Sequence, residues 1–108
     1  MADMTTVRGI EVDVTANTLR LLLEDGEAAT SERVPATIDI GTGGRLVGVE
    51  LPSVYVDVME AESGTEHLTR SAAAEVVVGR AGEGGPPVAV TVPRRGAGYE
   101  ITYPSGNQ

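Results

Sequence analysis

Asp39 and Glu50 come nearest to a chemical site by type and placement. They lie in two alternating segments, Ile38-Asp39-Ile40 and Val49-Glu50-Leu51, with Gly41-Thr42-Gly43-Gly44 between them. If the glycines turn the chain, both carboxylates fall on one strand face. A carboxylate pair can bind a cation or serve as acid and base. With Asp13 as a third acid, the set would suit a metal-assisted hydrolase, provided all three converge in a pocket. The chain has sixteen acids against eight arginines and a net charge of −8, so acids on a solvated sheet face are also what composition alone supplies. No catalytic, cofactor or metal residue is therefore assigned, and Asp39 and Glu50 are kept as interaction-face candidates.

The other chemistry-bearing residues are isolated. Asp13 and Asn17 flank a turn, where such side chains usually bond nearby backbone groups. His67 is the only histidine and there is no cysteine, which excludes a multi-imidazole metal site, a thiolate nucleophile and a disulfide framework. Ser31, Ser53 and Ser71 lie in no G-x-S-x-G context. The glycine-rich stretches 41–44 and 79–85 lack the Lys-Ser/Thr of a phosphate loop and read as turns. Arg94-Arg95 is the only adjacent basic pair, has no interleaved aromatics and reads as a solubilising turn.

The elements that would position these residues follow from composition and period. At 108 residues the chain suits one domain, 1–108. Its only aromatics are three tyrosines, so Val, Leu, Ile and Ala must fill the core, and the β-branched share favours strands. Ile10, Val12 and Val14 alternate with acids and, after the turn at 15–18, Leu19 to Leu23 return as the second arm of a hairpin. A strand from Ala36 to Ile40 pairs through an even-numbered loop with Leu46 to Leu51, which sets Ile38 opposite Val49 and Ile40 opposite Val47. Val54, Val56 and Val58 alternate as a further strand. Ser63-Gly64-Thr65-Glu66 has capping-box spacing ahead of a triple alanine, which predicts one short helix over 65–75. Val76-Val77-Val78 is apolar on both faces, as in a central strand or one covered by a partner. A last hairpin is expected to run Val88 to Val92, turn at 93–96 and return through Tyr99, Ile101 and Tyr103.

A shift of 52 positions lays Pro35 on Pro87, Gly44 on Gly96 and Pro52 on Pro104, which raises an internal duplication of a β-hairpin unit, with 10–52 as one half and 53–104 as a degenerate repeat. Residues 10–52 also resemble a small bacterial domain family of unknown function. Its pattern is an aspartate-bearing hairpin, Y-D-x-x-x-D-x-L-x-I, a Ser-Glu-x-Val segment and a closing hairpin, I-x-x-D-x-x-G-x-L-V-G-I-E-I. Val12-Asp13 through Leu19-Arg20-Leu21, Ser31-Glu32-Arg33-Val34 and Ile38 through Leu46-Val47-Gly48-Val49-Glu50-Leu51 carry the match. Val12 stands for the tyrosine, Asn17 for the second aspartate, and the acid before the glycine is lost. The resemblance implies a compact β unit and brings no activity.

The sequence thus reads as a mainly β, antiparallel sandwich or small barrel of about seven or eight strands with one short helix. The expected role is a non-catalytic interaction or self-associating scaffold module, most simply a homodimer, with Asp39, Glu50, Val76, Val77 and Val78 as the interaction candidates. One alternative is an antitoxin-like partner that neutralises a small basic protein, for which the acidic balance favours fast association. The other is the metal-assisted hydrolase. The negative field disfavours nucleic acid and anionic membrane. No stretch reaches the ~20 apolar residues of a membrane span, and Met1 to Thr6 lack a signal-peptide pattern, so a cytoplasmic location without cofactor is expected.

Overall fold

Alternation with period two governs the chain, and the computed structural model resolves it into ten strands and a single 3-10 turn among the described residues, which are 3–52, 54–58, 68–82, 84–96 and 98–101. The strands are β1 (Asp3–Thr6), β2 (Gly9–Asp13), β3 (Thr18–Leu22), β4 (Thr30–Gly41), β5 (Leu46–Glu50), β6 (Val54–Asp57), β7 (Leu68–Arg80), β8 (Pro87–Pro93), β9 (Arg95–Gly96) and β10 (Tyr99–Glu100). Eight of them form one curled sheet in the order β1-β6-β5-β4-β7-β8-β3-β2, a half-barrel, and β9 and β10 form a separate two-stranded ribbon. All pairings are antiparallel except the parallel contact of β1 with β6. The Cα radius of gyration, 13.0 Å, is that of one compact domain of this length.

The long β4/β7 ribbon is the spine. Residues Thr30 to Gly41 pair with Arg80 down to Leu68. β5 joins β4 only from Thr37 onward, and β8 joins β7 only from Val77 onward, so each long strand carries neighbours on both sides over part of its length. Pro35 stands on the stretch of β4 beyond β5, where a missing N–H is best tolerated. The two ends of the sheet meet through consecutive residues. Val7 N donates to Asp57 O at 3.1 Å and Arg8 N to Leu22 O at 2.8 Å, so one chain segment leaves the β6 edge and enters the β3 edge. The concave side gathers Leu19, Leu21, Ile38, Val49, Val56, Val76, Val78, Val90, Val92 and Ile101, all buried.

The expected hairpin of β2 and β3 forms, with Val12 opposite Leu19 and Ile10 opposite Leu21. In the β4/β5 hairpin Ile38 does meet Val49 and Asp39 meets Gly48, but Ile40 meets Leu46 rather than Val47. The turn has three residues, Thr42–Gly44, with positive φ at Gly43 and Gly44, and the odd residue is absorbed as a bulge at Val47. The bulge lets Ile40 and Leu46 both reach the core.

The short helix expected over 65–75 is corrected: Leu68 to Glu75 are strand, and 65–67 lie outside the described residues. The helix preference of alanine over alternatives is a few tenths of a kcal/mol per residue. Pairing along β4 outweighs it. The last hairpin is also corrected. Val90 already pairs with Leu21 on one side and Val78 on the other, so no ladder position is left for a strand returning through Ile101. The chain turns later and forms the β9/β10 ribbon, with Ile101 N donating to Arg94 O at 2.7 Å. Pairing at 38–49 therefore has no counterpart at 90–101. The two hairpins within 10–52 are themselves separated in the sheet by β7 and β8.

Candidate functional site

The outward residues of β6, β5, β4 and β7 form a row across the sheet, Asp57, Gly48, Asp39 and Ser71, each directly opposite the next. In the adjoining row Tyr55 faces Glu50, and Glu50 faces Thr37. Gly48 leaves a gap between the two aspartates, and Tyr55 fills it: a Cβ built on Gly48 would meet the Tyr55 hydroxyl and ring and stand 2.8 Å from the Val56 carbonyl oxygen. Lying over Gly48, Tyr55 reaches Asp39 and donates its hydroxyl to it. Ser71 Oγ donates to Asp39 Oδ1 at 2.7 Å from the other side. Glu50, exposed on the neighbouring strand, is the third residue close to Asp39. Asp39 is only 3% exposed although it points away from the core, because these side chains cover it.

The electrostatics follow from that crowding. Burial, then the charges of Asp39, Asp57 and Glu50, and then donation to Asp39 push the Tyr55 phenol up to about 12. The hydrogen bond to Asp39, next its negative charge, and last partial burial lift the Glu50 carboxyl above its ordinary 4.5. Hydrogen bonds to a charged acceptor contribute about 1.5–3 kcal/mol each. One side chain thereby ties β4 to β6 and β7.

Asp39 and Glu50 do share a face, as their alternation implies. Asp13 does not join them. It sits at the end of β2, with β3, β8 and β7 between it and β4, and its Oδ1 accepts the Ala16 N–H at 2.9 Å within the turn. Asn17 completes that turn in the left-handed region, φ 61, and its carbonyl accepts the Arg94 N–H at 2.9 Å. Among the described residues no group of three or more His, Cys, Asp or Glu side chains could hold a metal ion. Asp57 and Tyr55 take the places beside Asp39 and Glu50 that the hydrolase reading gave to Asp13.

Val76 and Val78 belong to the core, each 1% exposed, and only Val77 turns outward. Ser31 lies exposed on β4 opposite Gly79. His67 and Ser53 lie outside the described residues. The first glycine-rich stretch turns at 42–44, with Gly41 N at the end of β4 donating to Arg45 O at 2.8 Å; in the second, Gly79 belongs to β7, and beyond that strand Gly85 N donates to Gly82 O at 2.8 Å. Arg95 pairs with Glu100 across the small ribbon at 2.9 Å. Sequence reasoning missed Tyr55, Asp57 and Ser71 as members of the cluster. For Tyr55 and Asp57 a signal existed, since Val54-Tyr55-Val56-Asp57 alternates directly after Glu50 and a proline turn. Ser71 is brought in only by the β4/β7 pairing.

Comparison with protein-family models, with curated proteins and with solved structures found no match. The site is therefore read from its own geometry. No helix among the described residues is long and apolar enough to cross a membrane.

Proposed function

We propose that this chain is a non-catalytic β module that works by association, first of all with a second copy of itself. The observation that carries this reading is the engagement of Asp39. Its carboxylate takes hydrogen bonds from Ser71 and Tyr55, residues of two neighbouring strands, with Glu50 of a third strand beside it, so the cluster with the most chemical potential acts as a clasp within the sheet. A catalytic carboxylate needs reach to a substrate proton, and this one is covered.

The sheet is a single layer, and its outer surface over β4, β7, β8 and β3 presents Val77, Thr91 and Pro93, all half-buried, beside charged side chains. Such a surface suits docking against another protein surface of matching charge. Light scattering over a micromolar concentration range tests the proposal. An average mass that rises from monomer toward dimer with concentration is expected; a monomer mass throughout would refute it.

A further inference from the structure

Five aspartates stand in the chain, and only one of them precedes a glycine; no asparagine does. Asp3, Asp13, Asp39 and Asp57 lie in strands and are followed by Met4, Val14, Ile40 and Val58, whereas Asp25 is followed by Gly26 in the connection from β3 to β4. We propose that Asp25-Gly26 is a modification site, at which the main chain rearranges spontaneously to isoaspartate through a cyclic imide. The change is independent of association, because it needs one chain and water.

The main-chain nitrogen of Gly26 attacks Cγ of Asp25. The new N–Cγ bond closes the imide ring, and a carboxyl oxygen leaves as water with one proton from the carboxyl group and one from the amide. Water then reopens the ring. Addition at Cγ restores aspartate. Addition at the Asp25 main-chain carbonyl carbon breaks its bond to the Gly26 nitrogen instead, so the chain runs on through Cβ and Cγ and the former carbonyl becomes a free carboxylate. Nothing is oxidised or reduced, and the net charge is kept.

The fold leaves this peptide open to that attack. Residues 24–30 are all exposed, and the Asp25 side chain, 93% exposed, makes a loose pair with Arg8 at 3.5 Å that does little to fix it. A Cβ built on Gly26 would meet nothing within 4 Å, and its φ of 102 is a conformation that glycine adopts freely. Glycine also has no side chain to shield its nitrogen, whereas Val14, Ile40 and Val58 carry a branched β-carbon beside theirs. Leu23 N and Glu24 N donate to Val88 O at 2.9 and 3.3 Å, and Ala29 N donates to Arg80 O at 2.7 Å. Between these anchors no main-chain hydrogen bond among the described residues holds 25–28, so the loop can reach the ring-closing geometry without opening a strand. The same anchors confine the extra main-chain carbon of isoaspartate to the loop, and β3, β4, β7 and β8 keep their register.

Incubation of the full chain at neutral pH over weeks, beside a free peptide of residues 22–29, tests the site. After proteolysis, the fragment holding Asp25 is expected to split into two chromatographic forms of equal mass. The new form should accept a labelled methyl group from an isoaspartyl carboxyl methyltransferase and its methyl donor. Its rate of appearance in the folded chain is expected to lie within about tenfold of that in the peptide, which is less than about 1.4 kcal/mol of added barrier. Asp25→Glu should abolish the product, and Asp25→Asn should accelerate it with release of ammonia. The far-UV circular dichroism of the aged chain should match that of the fresh chain. A folded chain that stays unmodified while the peptide rearranges, one that is modified equally at Asp13, Asp39 or Asp57, or one that loses its strand signal on ageing overturns the proposal.

Discussion

Gly48→Ala isolates the contact that shapes the clasp. A β-carbon at that position overlaps the Tyr55 hydroxyl and ring and sits 2.8 Å from the Val56 carbonyl oxygen, so the tyrosine must swing away and the backbone must give slightly. Swinging away breaks the bond from Tyr55 to Asp39, a charge-assisted contact of about 1.5–3 kcal/mol. It also opens a carboxylate that is now 97% covered, the complement of its 3% exposure. Against this, alanine in a strand gains about 0.5–1 kcal/mol over glycine. The balance is a loss of about 1–3 kcal/mol, which for a chain of this size lowers Tm by roughly 4–8 °C per kcal/mol. Urea denaturation at neutral pH with an unchanged m-value is the assay. Repeating the substitution in a Tyr55→Ala background should recover most of the loss, a coupling that a double-mutant cycle reads directly. If Gly48→Ala proves as stable as the parent, Tyr55 does not lie over that glycine and the account of the clasp fails.

Glu50 gives the acid arm. Because its folded pKa is raised above 4.5, chiefly by the hydrogen bond to Asp39, its stabilising contribution is complete below pH 4.5 and fades as pH rises through the folded value. Glu50→Gln, which keeps a donor toward Asp39, should flatten that part of the stability profile and be at least as stable as the parent at neutral pH, as read by urea midpoints from pH 4 to 8 spaced about one unit apart. Tyr55 gives the alkaline arm: its contribution is full below pH 10 and is lost as pH rises toward about 12, so Tyr55→Phe should lose the drop that the parent shows there. Ala73→Thr, on the exposed face of β7 opposite Thr37, should raise stability by up to about 1 kcal/mol, whereas in a helix it would lower it.

The local pattern made the hairpins legible, and the distant pairings escaped it. From Ile10 to Val14 and from Leu19 to Leu21 apolar and polar residues alternate around a turn, so the hairpin of β2 and β3 was readable. At Leu46-Val47 two adjacent apolar residues satisfied either register, and only the three-residue turn decides that Val47 bulges. The triple alanine at 72–74 is helical by propensity and strand by company, because β4 presents twelve consecutive partners to β7. β1 pairs in parallel with β6 through Asp3 to Thr6, a contact with a strand far along the chain that no local period records. Val77 was legible as apolar on both faces of its strand, and its neighbours separated it from Val76 and Val78. The shared face of Asp39 and Glu50 was readable from period two. Their enclosure by Tyr55 and Ser71 needed β6 and β7 to be placed.

Amide NMR spectra of the unmodified chain recorded over a concentration series test the association account most directly. From micromolar to millimolar chain, a subset of the amide signals is expected to shift and all lines to broaden as the dimer forms. Spectra that superimpose across the whole series would contradict it.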